Sequence, residues 1–554
     1  VRLRGEGRIR AALLFLLVLL LPFEPRWPTL AVLGTRITLL ELAAALLLPS
    51  LAIASRERIF ALACRPTAPL LLIALYAAAH LISAALAPRE VSGAARFALR
   101  MLAMAGCAWV VAALPGRARR AGMAALAASA AVVAMLGIAE GMGLRALDPF
   151  LALFRQSFVN VGGVRRATAG TEYPNLAAAF MAYGLVAGAG FARQDRLGRG
   201  TAFAALVSLG MLCTYSRAGL LAAGVGLVAL VMARRAGGAR APLAMLAVLI
   251  VCAAAFAVRG GSFGLRLTTE GTDRWYAARY APSEPTLRLA PGEVRSTRVG
   301  VINDGRMAWT AREGFHLSHH WYGLDDQAVW DGSRTALPGD VAPGDGVQLD
   351  AELRAPLREG RYLLLWDMVH EHTTWFREQG VVPAVVPVVV STQPAAPLEA
   401  TGPRADVPGL SLEPRWQPGR LQLWTLALQL WRERPVTGYG PDSFRHLYGP
   451  KAGRAAWDAR VFANSLYLEA AATTGILGLL AIVGTLLASA RAALVRARAA
   501  PPGSRDAVLG ATTLALVAVI AVHGVLDYVL AFTGQYLAFA FVVGAAGAPG
   551  EEAV

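Results

Sequence analysis

Charged and hydrogen-bonding residues stand in this sequence where an apolar chain is expected to avoid them. Arg217 lies in CTYSRAGLLAAG, between two apolar runs. Glu469 follows Ser465 by four residues in FANSLYLEAAATTGILGLL, and His523 and Asp527 are four apart in AVHGVLDYVL, so each pair shares a helix face. Arg96 and Arg100 repeat that spacing in another apolar run. Such groups are costly at membrane depth and are candidates for binding or catalysis. Polar turns accompany them. Tyr173-Pro174-Asn175 opens one apolar run, Ala463-Asn464-Ser465 with Tyr467 opens another, and GYGPDSF, with Gly438, Gly440 and Asp442, leads to His446. Arg420, Trp424, Leu428 and Trp431 recur at helical spacing, which puts an arginine and two indoles on one face of an amphipathic helix at a bilayer surface. Together these residues read as a site where a lipid-borne substrate meets water. Plainer readings stand beside this one: a snorkelling Arg217, Arg96 and Arg100 snorkelling or paired with Glu41, an asparagine that caps a helix, and interhelical glue from Glu469, His523 and Asp527.

The elements that must position these residues follow from composition. A chain of 554 residues, 56% hydrophobic and 16% charged, with apolar runs of membrane-crossing length, is a polytopic all-α membrane protein. About twelve transmembrane helices are expected, near 10–24, 35–54, 68–87, 94–114, 121–141, 174–192, 201–215, 218–233, 241–258, 463–489, 508–530 and 533–548. The N-terminal run reads as an uncleaved first helix, since no small-residue cleavage site follows it. The net charge of +16 comes from arginine clusters between the runs, topology signals rather than a nucleic-acid surface. Threaded alternately, Arg2–Arg10, Arg56–Arg65, Arg117–Arg120, Arg193–Arg199, Arg234–Arg240 and Arg491–Arg505 all fall on one side, the cytoplasm. The segments Leu144–Glu172 and Arg259–Val461 then lie outside it. Residues 1–258 form the first part of the membrane domain, 259–283 a linker, 391–461 a second linker with the amphipathic helix and loop of the candidate site, and 462–554 the last three spans. Between the linkers, residues 284–390 alternate apolar and polar positions between turn residues and read as an inserted extracytoplasmic β-sandwich of immunoglobulin-like type. Trp309, Trp321, Tyr322, Trp330, Trp366 and Trp375 give it a core or, less simply, a sugar-stacking surface. His316, His319, His320, His370 and His372 do not read as a metal site, because neighbours in a strand point to opposite faces and no cysteine accompanies them.

TYSRAGLL after the seventh run, YPN before the sixth, and GRLQLWTLALQLWRERPVTGYGPDSF followed by FANSLYLEAAATTGILGLL together resemble the O-antigen ligase and O-antigen polymerase superfamily. The resemblance covers most of the membrane part and none of the sandwich. It implies a multi-pass glycosyltransferase of the bacterial cytoplasmic membrane, working on the outer face without a cofactor or metal. The donor would be a glycan on an undecaprenyl-pyrophosphate carrier, and the acceptor a hydroxyl on a lipid-linked sugar, a polysaccharide or a protein. Arg217 and Arg420 match the family's arginines and would grip the pyrophosphate, with Asn175, Asn464, Ser465, Tyr467, Arg96 and Arg100 as further substrate-binding candidates. Where such ligases have His-Asn-Ser, this chain has Ala463-Asn464-Ser465. The base that activates the acceptor is therefore sought elsewhere, at His446 first, then Asp442 or His523, with Glu469 also a catalytic candidate. A polysaccharide polymerase, a glycolipid transporter and an envelope scaffold are the competing readings.

Overall fold

The computed structural model describes residues 2–26, 29–32, 35–155, 159–161, 164–192, 196–234, 238–258, 275–323, 328–329, 332–371, 373–392, 418–454 and 457–550. Arg193, Arg235, Trp330, His372, most of the linker at 259–283 and the second linker from 393 to 417 lie outside these residues.

The first half is helical. Helix α1 (Arg2–Leu20) is followed by a small hairpin of β1 (Leu30–Val32) and β2 (Thr35–Ile37). Next come α2 (Leu39–Ala54), α3 (Arg56–Cys64), α4 (Ala68–Ala85), α5 (Val91–Ala113) and α6 (Gly116–Gly141). A short helix α7 (Asp148–Leu151) and the two-residue strands β3 (Asn160–Val161) and β4 (Val164–Arg165) lead to α8 (Pro174–Phe191), α9 (Leu197–Cys213), α10 (Arg217–Ala233) and α11 (Arg240–Val258). Seven helices of the described chain are long and apolar enough to cross a membrane, and up to eight are if α2 and α3, bent by 78°, count as one broken span. Leu197–Cys213 and Arg217–Ala233, joined by the tight Thr214–Ser216 turn, are apolar but shorter, as is Thr533–Gly547 near the C-terminus. Small residues let the helices approach closely. A Cβ on Gly184 of α8 would lie 2.1 Å from that of Ala130 in α6.

A β region occupies part of the C-terminal half. Strands β5 (Ala278–Pro282), β6 (Leu287–Leu289), β7 (Val294–Asn303), β8 (Phe315–Gly323), β9 (Ala328–Val329), β10 (Thr335–Ala336), β11 (Gly346–Arg354), β12 (Gly360–His370), β13 (Thr374–Trp375) and β14 (Ala384–Val390) form two sheets. One has the order β10-β8-β12-β14-β6, with β9 on β8 and β13 on β12. The other is β11-β7-β5. All pairs are antiparallel except β14 with β6, which run parallel. Residues of both sheets share one core, in which Trp309, Trp321 and Trp366 are buried. Burial removes these indoles from any sugar-stacking role. Trp275, Tyr276 and β5 belong to this unit although they precede Glu284. His319 stands against Trp366 and His320 against Trp375, on opposite faces of β8. Burial, helped by the neighbouring His320 and Arg334, pushes the His319 imidazole down to about 4. Among the described residues no three His, Cys, Asp or Glu side chains converge as metal ligands.

The chain returns as α12 (Arg420–Glu433), α13 (Phe444–Lys451), α14 (Leu466–Ala499), α15 (Arg505–Leu526) and α16 (Thr533–Gly547). Helix α12 is amphipathic. Leu423, Leu426, Ala427 and Leu430 are buried against α13 and α14, whereas Leu421 and Leu428 are exposed. Helix α14 is interrupted at Gly475, whose backbone leaves the helical region (φ 66°, ψ −159°). The break frees backbone groups that must find other partners. The loop Pro435–Gly440 supplies them. Tyr439 N donates to Ala472 O at 3.1 Å, Gly440 N to Thr473 O at 2.9 Å, and Ile476 N to Pro435 O at 2.8 Å. Ser83 of α4 clamps both parts, its Oγ donating to Thr437 O at 2.6 Å and Thr473 O at 2.7 Å. A Cβ on Gly475 would lie 2.2 Å from Val436 O, and one on Gly438 would lie 2.3 Å from Thr473 C, so both glycines are required by this contact.

Candidate active site

The site is built at the end of the helix bundle from which the chain leaves for the β region, and its foundation is a buried ion pair. Glu140, at the end of α6, binds Arg155 through one oxygen, while its other oxygen accepts from Thr168 N at 2.8 Å and Ala169 N at 3.1 Å. Arg155 also donates to Thr168 Oγ1 and Asp148 Oδ1. With both charges buried and their remaining hydrogen-bonding capacity used, the loop after α7 is fixed in place.

That loop delivers Arg166, itself buried. Its Nε donates to Thr214 O at 2.8 Å and its Nη2 to Asn175 Oδ1 at 2.9 Å. Asn175 Nδ2 donates in turn to Asp527 Oδ2 at 2.7 Å, and Asp527 O accepts from Leu466 N at 3.1 Å. One continuous chain of hydrogen bonds therefore joins the starts of α8, α10 and α14 to the end of α15. The start of α12 is tied in by Trp424 Nε1, which donates to Asn464 O at 3.3 Å. Four helix N-termini are thus gathered with arginines among them, and N-termini attract anions.

Arg217 is the first residue of α10, half-buried behind the N-cap Ser216, whose Oγ accepts from Gly219 N at 3.3 Å. Tyr215, at φ 52°, makes the turn from α9. Arg420 opens α12, and it and Asp527 are the charges acting on His523. Asn464 holds the left-handed conformation (φ 49°) that sets up the Ser465 N-cap, and Tyr467 OH donates to Ala521 O at 2.9 Å. Asn175, Asn464, Ser465, Arg217 and Arg420 are in this way brought to one network by their elements. Arg96 and Arg100 are placed apart from it. Arg96 bonds Ser92 O on its own helix, and Arg100 pairs with Glu41 at 3.0 Å beside a cavity of about 300 Å³ that also holds Glu172. Burial pushes the Glu172 carboxyl up.

The catalytic candidates separate as well. Both oxygens of Asp442 are engaged by Arg445, at 2.6 and 2.7 Å. His446 lines a cavity of about 710 Å³ with Glu433, Tyr439, Lys451 and Trp457, and none of Asn464, Arg420 and Asp527 is among its described lining residues. Glu469 is buried, with Oε2 accepting from Ala463 N at 2.8 Å and Oε1 without a partner among the described residues. His523 is buried next to Asp527, and both of its ring nitrogens likewise lack a hydrogen bond among the described residues. The side chain of Ala463 is fully buried in the apolar cluster of Leu423, Ala427, Phe444 and Tyr448. An imidazole at that position would overpack this cluster.

Sequence reasoning passes over Arg166, Glu140 and Arg155, and marks Asp527 as a costly charge with a suspected role without placing it beside Asn175. The available signal is the arginine pair in GVRRATAG, in a segment that the arginine threading puts opposite the six clusters.

Fold and site together give a many-helix chain, with seven or eight helices among the described residues fit to cross a membrane and a buried polar network at one end of its bundle. Residues 380–483 match the O-antigen ligase family model, and this match supports the O-antigen ligase superfamily. The match takes in β14, α12, α13 and the first half of α14, whereas Arg166, Asn175, Arg217 and Asp527 lie outside it. No curated protein matches the chain.

Proposed function

We propose that this protein transfers a glycan from an undecaprenyl-pyrophosphate carrier to an acceptor hydroxyl on the outer face of the bacterial cytoplasmic membrane, as a ligase or as a polymerase. The O-antigen ligase domain supports an enzyme of this general type. The observation that carries the specific reading is the convergence of four helix starts around Arg166, Arg217 and Arg420, tied together through Asn175 and Asp527. A pyrophosphate leaving group suits such a place, because its negative charge grows as the glycosidic bond breaks.

The acceptor oxygen forms a bond to the anomeric carbon, and the bond from that carbon to the pyrophosphate oxygen breaks. The released charge is met by Arg217, Arg420 and the helix N-termini, while the acceptor proton passes to a base. His523 suits this last duty better than His446, standing beside Asp527 and Arg420 with both ring nitrogens open among the described residues. Within this reading the chain crosses the membrane twelve times, the three shorter apolar helices and α1 included, and residues 278–390 form an immunoglobulin-type sandwich outside the cytoplasm that selects the acceptor.

The test is purified protein with a labelled lipid-pyrophosphate glycan. Wild type should release undecaprenyl pyrophosphate, and Arg217→Ala or Arg420→Ala should each lower turnover by roughly 10²- to 10³-fold, the effect of losing one preorganised charge-stabilising donor. In spheroplasts a cysteine placed at Gly332 should label from outside and one at Gly503 should not. Transport of intact donor without cleavage, or full activity in both arginine variants, would sink the proposal.

A further inference from the structure

At the opposite end of the bundle from the candidate active site, α4, α14, α15 and α16 border an open cavity of about 980 Å³. It is amphipathic along one helix face. Leu487, Arg491 and Val495 of α14 recur every four residues and all line it, with Leu487 and Val495 exposed at 66% and 55%. Arg505, in the first turn of α15, lines it from the other side. Neither Arg491 nor Arg505 has a hydrogen bond or ion pair among the described residues. Arg496 is occupied elsewhere. Its guanidinium donates to Ala545 O at 2.6 Å and to Ala548 O, covering the last turn of α16. The only carboxylate among the described lining residues is Asp506, which acts electrostatically on Arg496.

At about 1.5 Å per residue the 34 residues of α14 extend well beyond a hydrocarbon core of about 30 Å. Along the chain the order in the cavity is Leu487 nearer the middle of α14 and Arg491 and Arg505 nearer the end of the bundle, the order of acyl chain and headgroup in a leaflet.

We propose that this cavity binds one anionic phospholipid of the adjoining leaflet, with its phosphate between Arg491 and Arg505 and an acyl chain along Leu487. Charge complementarity selects the lipid class, since a zwitterionic headgroup would place its own cation against two unpaired arginines. By the arginine asymmetry the leaflet is the cytoplasmic one. Basic pockets between helices on that side are suited to anionic headgroups.

The experiment is a titration of the purified full-length protein in zwitterionic detergent, read by native mass spectrometry and thermal unfolding, with phosphatidylglycerol, phosphatidylcholine or inorganic phosphate as probe. Wild type should retain one phosphatidylglycerol and unfold at higher temperature with it, and should respond to neither other probe. The Arg491→Ala, Arg505→Ala double variant should bind about thirtyfold more weakly, at ~1 kcal/mol per basic residue near the surface. Arg56→Ala, an exposed arginine away from the cavity, should bind as wild type does. Equal retention by wild type and the double variant overturns the proposal, whether the cavity is then filled by detergent or by the Glu551–Glu552 end of the chain. An equal loss in Arg56→Ala, or stabilisation by inorganic phosphate alone, overturns it too.

Discussion

Arg166 shows how one side chain can organise a site without being its most visible member. Its guanidinium reaches Thr214 O and Asn175 Oδ1 at once, and so holds the starts of α8 and α10 in register. Arg166→Ala should therefore lower turnover by roughly a hundredfold, comparable to losing one preorganised donor, while the donor KM changes little. Arg166→Lys should not rescue, because a point charge on a flexible stem does not reproduce the planar fork. Steady-state kinetics of both variants decide this; recovery in the lysine variant would reduce Arg166 to a bulk charge. The candidate residues were legible in the sequence to the extent that they violated a membrane rule. Arg217, Glu469 and Asp527 stood out because charge is costly there. Arg166 departs from a different rule, the gathering of arginines on one side, and because it lies in a loop, where polar residues are ordinary, only the threading marks it as unusual. The environment of Ala463 was not legible, because helix spacing does not tell which neighbour a turn residue will pack against.

The interrupted helix α14 and the loop from Pro435 to Gly440 form one element in two pieces. Each supplies the hydrogen bonds the other lacks, and two glycines keep the backbones in contact. Gly475→Ala should destabilise the protein by at least about 1–3 kcal/mol, since a residue is forced into a conformation that disfavours a side chain and a Cβ meets a backbone carbonyl. Thermal unfolding in detergent tests this, and a variant as stable as wild type would mean the contact yields freely. The turn residues at 438–441 and the helix after 462 were visible in the sequence. Their docking was not, because main-chain hydrogen bonds between distant segments leave no periodicity. In the β region, burial pushes the Asp367 carboxyl up to about 7, against 3.8 for an ordinary aspartate, despite hydrogen bonds from Tyr280 and Arg377 N. The folded form then holds a proton that the unfolded form releases, so this contribution is fully present below about pH 4 and lost as pH rises through about 7. Amide exchange in β12 of the full chain, corrected for intrinsic rates, should be slower at pH 5 than at pH 8. Asp367→Asn should flatten that difference.

At the scale of the whole molecule, the alternation in the sequence announces a β insertion, and the structure has a β region in its C-terminal half. The alternation began the unit at Glu284, too late to include β5, because Trp275 and Tyr276 precede any run of alternating residues. A deletion meant to remove the unit must therefore take out residues 275–392 together. With a flexible linker in their place, release of undecaprenyl pyrophosphate should remain measurable while the preferred acceptor changes. Loss of all release in a stably inserted deletion would show that the β region builds the active site. The union of the 435–440 loop with α14 also sets an order of events during synthesis. The ribosome makes the loop first, and its docking partner follows some thirty residues later, so the loop must wait undocked until α14 has entered the bilayer. In a chain truncated before Leu466 the loop has no partner for its backbone groups, so under the proposed outer-face topology envelope proteases should cut it there and leave the full chain intact.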